Sequence, residues 1–310
     1  MARKPKGRKI DGWLVIDKPA CITSTDVVNR LKRAFQAQKV GHGGTLDPLA
    51  TGVLPIAFGA ATKTVPYVMD GTKEYRFTLR FGEARDTDDA DGVVIATSEA
   101  RPTDEAIRAA LPAFVGDIMQ VPPRFSAIKV AGERAYDLAR AGEAVALAPR
   151  PARVDAFTLE DRPDPDTAVF RVVSGKGVYM RSLARDLAAA VGTVGHIAAL
   201  RRLRVGPFAE AMAVSLDSAA ALGQEDLVPS PLLPVETALA DIPALALTEG
   251  EASRLSSGQA LSLVAFLGRV PHDADPDGGI IRVMAGGKAI AIGRLEGGML
   301  HPVRMLTAAA

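Results

Sequence analysis

VGHGGTLDPLATGVLPIAFG, from Val40 to Gly59, sets five glycines around one acid, Asp47, and one histidine, His42. So much glycine beside a charged group has two readings. In the first, the stretch is a loop whose glycines take positive φ and whose Asp47-Pro48 pair opens a turn. In the second, glycine lets a bulky substrate backbone come close. Leu46, Leu49, Val53 and Leu54 would then hold the acid in a site poor in water, where a carboxylate can attack a carbon or move a proton.

Upstream, residues 12–17 (GWLVID) predict a short strand. Thr23-Ser24-Thr25 then offers N-cap chemistry for a helix with Val27, Val28, Leu31 and Phe35 on one face and Arg30, Lys32 and Arg33 largely off it. Downstream, residues 75–82 alternate strictly, Tyr75, Phe77, Leu79 and Phe81 against Arg76, Thr78 and Arg80, the pattern of a half-buried strand. Asp91-Gly92 suits a turn before a strand at Val93 to Ala96, and Thr103 can cap a helix through Phe114 that is disturbed at Pro112. Residues 121–153, with two prolines at the start and two near the end, predict a punctuated insertion carrying a short helix around Tyr136 to Arg140. Strands at 153–160 and 168–174 and a helix from about Val178 to Val191 follow. A Pro-rich stretch between Asp226 and Pro243 predicts a linker, and short β-like runs such as Ile280 to Ala285 and Lys288 to Leu295 lie beyond it.

A chain of 310 residues with 48% hydrophobic residues is long enough for about two domains. One cysteine, Cys21, rules out an internal disulfide, and four histidines form no Cys/His cluster with zinc spacing. The basic N-terminus is followed by too short an apolar run for a signal peptide, and the longest uncharged stretch, Leu187 to Leu200, is too short and too polar for a membrane span. A net charge of +1 conceals segregation. Residues 1–63 carry eleven Lys/Arg against four Asp/Glu, and residues 70–105 carry five against ten. That is either an ordinary solvated face or a basic arm for nucleic acid. Two common chemistries fail on spacing: the G-x-x-x-x-G-K-[ST] phosphate loop would need glycines at Ala57 and Thr62, and Ser174 lacks the first glycine of a G-x-S-x-G elbow.

Six stretches in one order make the reading specific: DKP at Asp17 to Pro19, GHGGTLDPLATGVLP at Gly41 to Pro55, KEYRFTLRFG at Lys73 to Gly82, DTDDADG at Asp86 to Gly92, PPRFSAIKVAGERAYDLARAG at Pro122 to Gly142, and SGKGVYMRSLARDL at Ser174 to Leu187. Together they resemble the bacterial tRNA pseudouridine-55 synthases of the TruB type over roughly residues 10–216. The last 65 or so residues look more loosely like a PUA domain, a small RNA-binding β-barrel. The resemblance implies an α+β fold: a mixed-sheet catalytic domain at 10–241, with an RNA-clamping insertion at about 121–153, and a PUA-like RNA-binding domain at 242–310.

It also implies roles. Asp47 matches the catalytic aspartate. Tyr75 matches the tyrosine that packs on the target uracil and is proposed to help remove its C5 proton, and Arg181 matches the arginine that pairs with the aspartate. His42 matches the histidine that fills the space left when the target base leaves its stack, and Lys18, Pro19, Lys63, Tyr179 and Leu200 match residues of the substrate pocket. Each has a plainer alternative, a core tyrosine, a surface arginine or a loop histidine, and the ordered framework they share outweighs it. Cys21 departs from relatives, which commonly show glycine there.

The implied reaction isomerises a T-loop uridine and needs no cofactor or metal. It breaks N1–C1′, turns the bound uracil, joins C5 to C1′ and loses the C5 proton. Asp47 can attack C1′, add to C6 or take the C2′ proton, and these three routes stay open. Flipping the base costs about a few kcal/mol, which base–aromatic stacking of roughly 1–3 kcal/mol offsets. The partner implied is the T-arm of tRNA, with no membrane and no obligatory protein partner, in a cytoplasmic monomer. The competing readings are a guide-RNA-dependent synthase of the same superfamily and an RNA-binding protein in which Asp47 is structural.

Overall fold

The computed structural model describes residues 7–126, 128–130, 133–134, 147–224, 232–266 and 268–306. Thr23 caps the helix Ser24–Ala34 through a reciprocal capping box with Asp26. Val27 and Leu31 are buried while Arg30, Lys32 and Arg33 are exposed, as the periodicity predicts. The alternating run forms the strand Lys73–Phe81, in which Phe77, Leu79 and Phe81 are buried and Arg76 and Arg80 face water. Thr103 caps Asp104–Ala110, and the helix tightens to a 3-10 turn at Leu111–Phe114, where Pro112 cannot supply the next amide.

These elements gather on a ten-stranded mixed sheet. Its main path runs Val214–Ser215, Gly12–Lys18, Thr51–Phe58, Gly195–Val205, Lys73–Phe81, Thr167–Ser174, Arg150–Asp164 and Gly116–Gln120. Two neighbours are parallel, Gly12–Lys18 with Val214–Ser215 and Thr51–Phe58 with Gly195–Val205, and the others along the path are antiparallel. The strands expected at 153–160 and 168–174 are longer, Arg150–Asp164 and Thr167–Ser174. Each is paired on both sides inside the sheet, which extends it past its apolar run.

Val40–Gly59 is not one loop. Val40–His42 and Thr51–Phe58 are strands, and only the segment between them turns. Every residue from Gly52 to Phe58 is buried, because this strand lies in the middle of the sheet and has no solvent face. The helix Met180–Ala190 packs its Met180, Leu183, Ala184 and Leu187 into the main core with Phe77, Leu79 and Phe170.

A second, five-stranded sheet follows in the order Ala244–Ala246, Ile280–Ala285, Lys288–Glu296, Met299–Met305 and Leu261–Ser262. It has its own apolar core, including Leu245, Leu255, Phe266, Ile281 and Leu295. The Pro-rich stretch before it is, from Leu232 onward, no free linker. Leu233 exchanges backbone hydrogen bonds with Trp13, and Ala238 and Leu239 are buried, Ala238 in one apolar cluster with Trp13, so this segment packs against the strand Gly12–Lys18. The short helix expected around Tyr136 to Arg140 lies outside the described residues.

Candidate active site

Asp47 sits at the tip of the turn that joins Val40–His42 to Thr51–Phe58, and three anchors hold it there. Ser24, buried in the first turn of its helix, donates from Oγ to the Leu46 carbonyl at 3.1 Å and accepts from the Leu46 amide at 2.9 Å. The Ala50 amide donates to the Asp47 carbonyl at 3.0 Å, closing the turn. Lys18, at the end of Gly12–Lys18, has no exposed surface and its Nζ donates to the carbonyls of Pro19, Ile22 and Pro48 at 2.9, 2.8 and 3.1 Å. Burial pushes the Lys18 ammonium down to about 8, opposed in part by the Asp47 charge. The Cys21 amide also donates to the Pro48 carbonyl at 2.9 Å, and Cys21 itself has φ of 66°, a left-handed conformation that glycine adopts without strain.

Facing this tip is Arg181, from the first turn of Met180–Ala190 and nearly buried. Its Nε lies 3.0 Å from Asp47 Oδ2 and 3.6 Å from Asp89 Oδ2. The geometry at Nε is that of an ion pair and not of an aligned hydrogen bond. The outer nitrogens are occupied by backbone: one donates to the Thr87 carbonyl at 3.1 Å and one to the Phe125 carbonyl at 3.0 Å. The guanidinium is thus fixed by carbonyls, with its inner edge shared between two carboxylates. Tyr179 precedes it, and both its amide and its carbonyl are bonded to the buried Gln120 side chain, at 2.8 and 3.1 Å. Burial raises the Tyr179 phenol, and the nearby Asp47 charge adds to that.

Tyr75 is half-buried on Lys73–Phe81, in register with Arg202 on the neighbouring strand. The Arg202 guanidinium is fully buried, and burial holds it below the usual arginine range, opposed in part by Tyr75 beside it. It also donates from Nε to the Val53 carbonyl at 2.8 Å and from its outer nitrogens to the Gly44 carbonyl at 3.0 Å and, more weakly, to the Thr45 carbonyl at 3.4 Å. One side chain therefore ties the strand beside Tyr75 to the turn that carries Asp47. His42, half-buried at the other root of that turn, is held below the usual imidazole range by burial and then by Arg202, which favours a neutral ring. Its Nδ1 accepts a long contact, 3.4 Å, from the Gly44 amide. Leu200 is buried in the same core as Leu46 and Ala50, and its carbonyl accepts from the Thr51 hydroxyl at 3.4 Å.

The expected residues Asp47, Arg181, Lys18, Pro19 and Tyr179 are thus gathered around one tip, with His42, Tyr75 and Leu200 linked to it through Arg202 and the strands beside it. Lys63 is elsewhere. It sits in the 3-10 turn Gly59–Lys63 at the far end of Thr51–Phe58 and donates to the Met305 carbonyl of the second sheet at 3.0 Å.

Two participants escaped the sequence. Asp89 is one of four acids in DTDDADG, and nothing in the run distinguishes the one that turns inward. In the structure its Oδ1 accepts from the Thr87 hydroxyl at 2.6 Å and from the Asp91 amide at 3.2 Å, which aims the other oxygen at Arg181. Arg202 follows Arg201, which pairs outward with Asp17 and Glu210. Adjacent strand positions face opposite ways, so one of two neighbouring arginines had to point inward.

Residues 32–180 match the family described as TruB family pseudouridylate synthase (N terminal domain), and residues 181–240 match the one described as tRNA pseudouridylate synthase B C-terminal domain. The tRNA pseudouridine synthase B of Gluconacetobacter diazotrophicus is 70% identical over 98% of this chain and 100% of its own. That of Rhodospirillum rubrum is 56% identical over 99% of each. Among solved structures, a chain of a Cbf5-Nop10-Gar1 complex superposes with a TM-score of 0.74 at 24% identity, covering 96% of this chain and 85% of that one. One from an H/ACA RNP bound to a substrate RNA containing 2'-deoxyuridine gives 0.73 at 22%, covering 99% and 92%. At these identities the two structures speak for a shared fold.

Proposed function

The chain belongs to the TruB family of tRNA pseudouridine synthases, and on that premise we propose that Asp47, Tyr75 and Arg181 carry the conversion of uridine 55 in the T-loop to pseudouridine. The enzyme is an isomerase acting on tRNA. The observation that carries the residue assignment is the contact of Arg181 Nε with Asp47 Oδ2 at 3.0 Å, in a turn that begins with Gly43 and Gly44. A fixed guanidinium against a partly exposed carboxylate leaves the other carboxylate edge free for the substrate, and the arginine cannot drift because its outer nitrogens are held by carbonyls. Tyr75 stands half-buried on a strand paired on both sides, opposite Arg202 and Val172, so its ring is placed before a base arrives. A neutral His42 suits a role in filling the space the flipped base vacates, since an uncharged ring costs less to insert among bases.

Lys18 and Pro19 shape the floor beneath Asp47, Tyr179 lines the pocket beside Arg181, and Leu200 backs it. Lys63 enters differently from the sequence expectation, through tRNA held at the second sheet. Residues 242–310 are an RNA-binding domain of PUA type and residues 10–241 the catalytic domain. The enzyme acts on the T-arm as a cytoplasmic monomer, without cofactor, metal or protein partner. No helix among the described residues is long and apolar enough to cross a membrane.

The test is release of tritium from C5-labelled uridine in unmodified tRNA. The wild-type protein should release it stoichiometrically with pseudouridine in the presence of a chelator. Asp47→Asn should abolish release by at least about 10³-fold, a loss of about 4 kcal/mol in transition-state stabilisation, while tRNA affinity stays within several-fold. Substantial turnover by this variant would remove Asp47 from the chemistry.

A further inference from the structure

A cavity of about 630 Å³ opens between the N-terminal arm and the second sheet, lined by Arg8, Lys9, Lys39, Lys63 and Lys288 with the acids Asp11 and Glu236. Its cations come from separate parts of the chain: the arm, the segment before Val40–His42, the 3-10 turn Gly59–Lys63, and the strand Lys288–Glu296. Among the described residues, Lys9, Lys39, Lys63 and Lys288 have no ion pair with a carboxylate. Asp11, whose Oδ1 accepts from the Ala60 amide at 2.5 Å, and Glu236 offset only two of the five positive charges, so the lining keeps a net positive excess. Lys63 is fixed across the seam by the Met305 carbonyl. Bringing like charges into one concavity raises the free energy of the empty site, and a bound polyanion relieves it.

The cavity is remote from the chemistry. It lies beside Gly59 and Asp11, at the opposite end of the paired strands Gly12–Lys18 and Thr51–Phe58 from Lys18 and Asp47. Six strand residues at 3.3 Å each put it about 20 Å from the active site, too far to hold the target nucleotide.

We propose that this cavity is a second RNA contact, which takes backbone phosphate of the tRNA substrate at a distance from the target uridine. It deepens the reading above, and rests on it, by assigning the basic N-terminal arm a place: the arm meets the second sheet here and forms one cationic site with it. The flexible ammonium groups act as point charges, so the contact positions the tRNA without reading bases.

The experiment uses the full chain with Lys39→Gln and Lys288→Gln combined. Both lysines are outside the active site, and a cooperative melt verifies the fold. Affinity for full-length tRNA should fall about tenfold at moderate salt. The dependence of log K on log salt should become shallower by about 1.4–1.8, the counterions released at two phosphates. Turnover on a saturating T-arm stem-loop should be unchanged. Unaltered affinity and slope would overturn the proposal, and so would a loss of stem-loop turnover at saturation, which would tie these lysines to the chemistry. Inorganic tripolyphosphate at constant ionic strength separates the sources. If it binds the wild type tightly and the variant not at all, while the tRNA slope is the same in both, the cavity serves a free phosphate ligand and the RNA contact is refuted. Absence of pseudouridine with the wild type would instead strike the activity itself, whatever the slopes.

Discussion

Lys18 reaches the carbonyls of Pro19, Ile22 and Pro48 only as an ammonium, because a neutral amine has one donor fewer and no charge to hold the third oxygen. With its pKa lowered to about 8 by burial, the group loses its proton in a range where an ordinary lysine keeps it. Two opposite trends follow. Turnover should decline as pH rises through about 8, since the turn at Asp47-Pro48 loses an anchor. Stability should move the other way. Between about 8 and 10.5 the unfolded chain still binds the proton that the folded chain has released, so this residue's contribution to folding free energy rises with pH in that window. A pH–rate profile under saturating tRNA, set against denaturation midpoints over the same range, checks both signs. A flat profile from pH 7 to 9.5 would show that the Lys18 charge is not needed at the turn.

Gly52 shows how closely two elements meet. It pairs with Lys18 on one neighbouring strand and with Arg202 on the other, at φ of +97°. A Cβ here would stand 2.2 Å from the Arg202 carbonyl oxygen and 3.0 Å from its amide nitrogen, both backbone atoms that cannot turn aside. Gly52→Ala should therefore cost about 3 kcal/mol from strain and forced separation. Because the strand that moves carries Arg202, whose guanidinium holds the Gly44 and Thr45 carbonyls of the turn before Asp47, turnover should fall further than the loss of folded protein explains. Urea denaturation together with turnover per folded molecule measures the two effects. A variant as stable as wild type would mean that the parallel pairing is looser than the structure has it.

Across the whole molecule the two sheets are joined by apolar contact as well as by chain. Leu239, Ala289, Ile292 and Leu306 form one buried cluster, with Tyr67 and Ile242 against it, and Lys63 bonds across the same seam. Removal of residues 242–310 uncovers Leu239 and Tyr67, so a protein ending at Asp241 should melt lower than the intact chain. The main core does not draw on the second sheet, and the truncated protein should still convert a T-arm stem-loop, with weaker binding of full-length tRNA and a shallower salt slope. Cooperative melting without stem-loop turnover would show that the second sheet takes part in the active site.

Asp47 among its glycines, the capped helix from Ser24, the alternating strand through Tyr75 and the helix bearing Arg181 were all legible in the sequence. Each rests on a local signal: a cap, a period of two or 3.6, or a motif dense enough to be specific. Tertiary structure alone decided the rest. That Val53 to Phe58 is a strand buried on both faces shows no alternation a sequence could reveal, and which acid of DTDDADG faces Arg181 depends on a turn fixed by Thr87 and Asp91. Nothing in the sequence singles out Arg202, whose three acceptors, the carbonyls of Gly44, Thr45 and Val53, are brought to it from a turn and a strand. Lys63 left the active site for the seam because its 3-10 turn closes the far end of a strand whose near end begins four residues after Asp47. Local pattern reports what a residue prefers, while the cost of burying a charge is met only by the partners that folding assembles from distant parts of the chain.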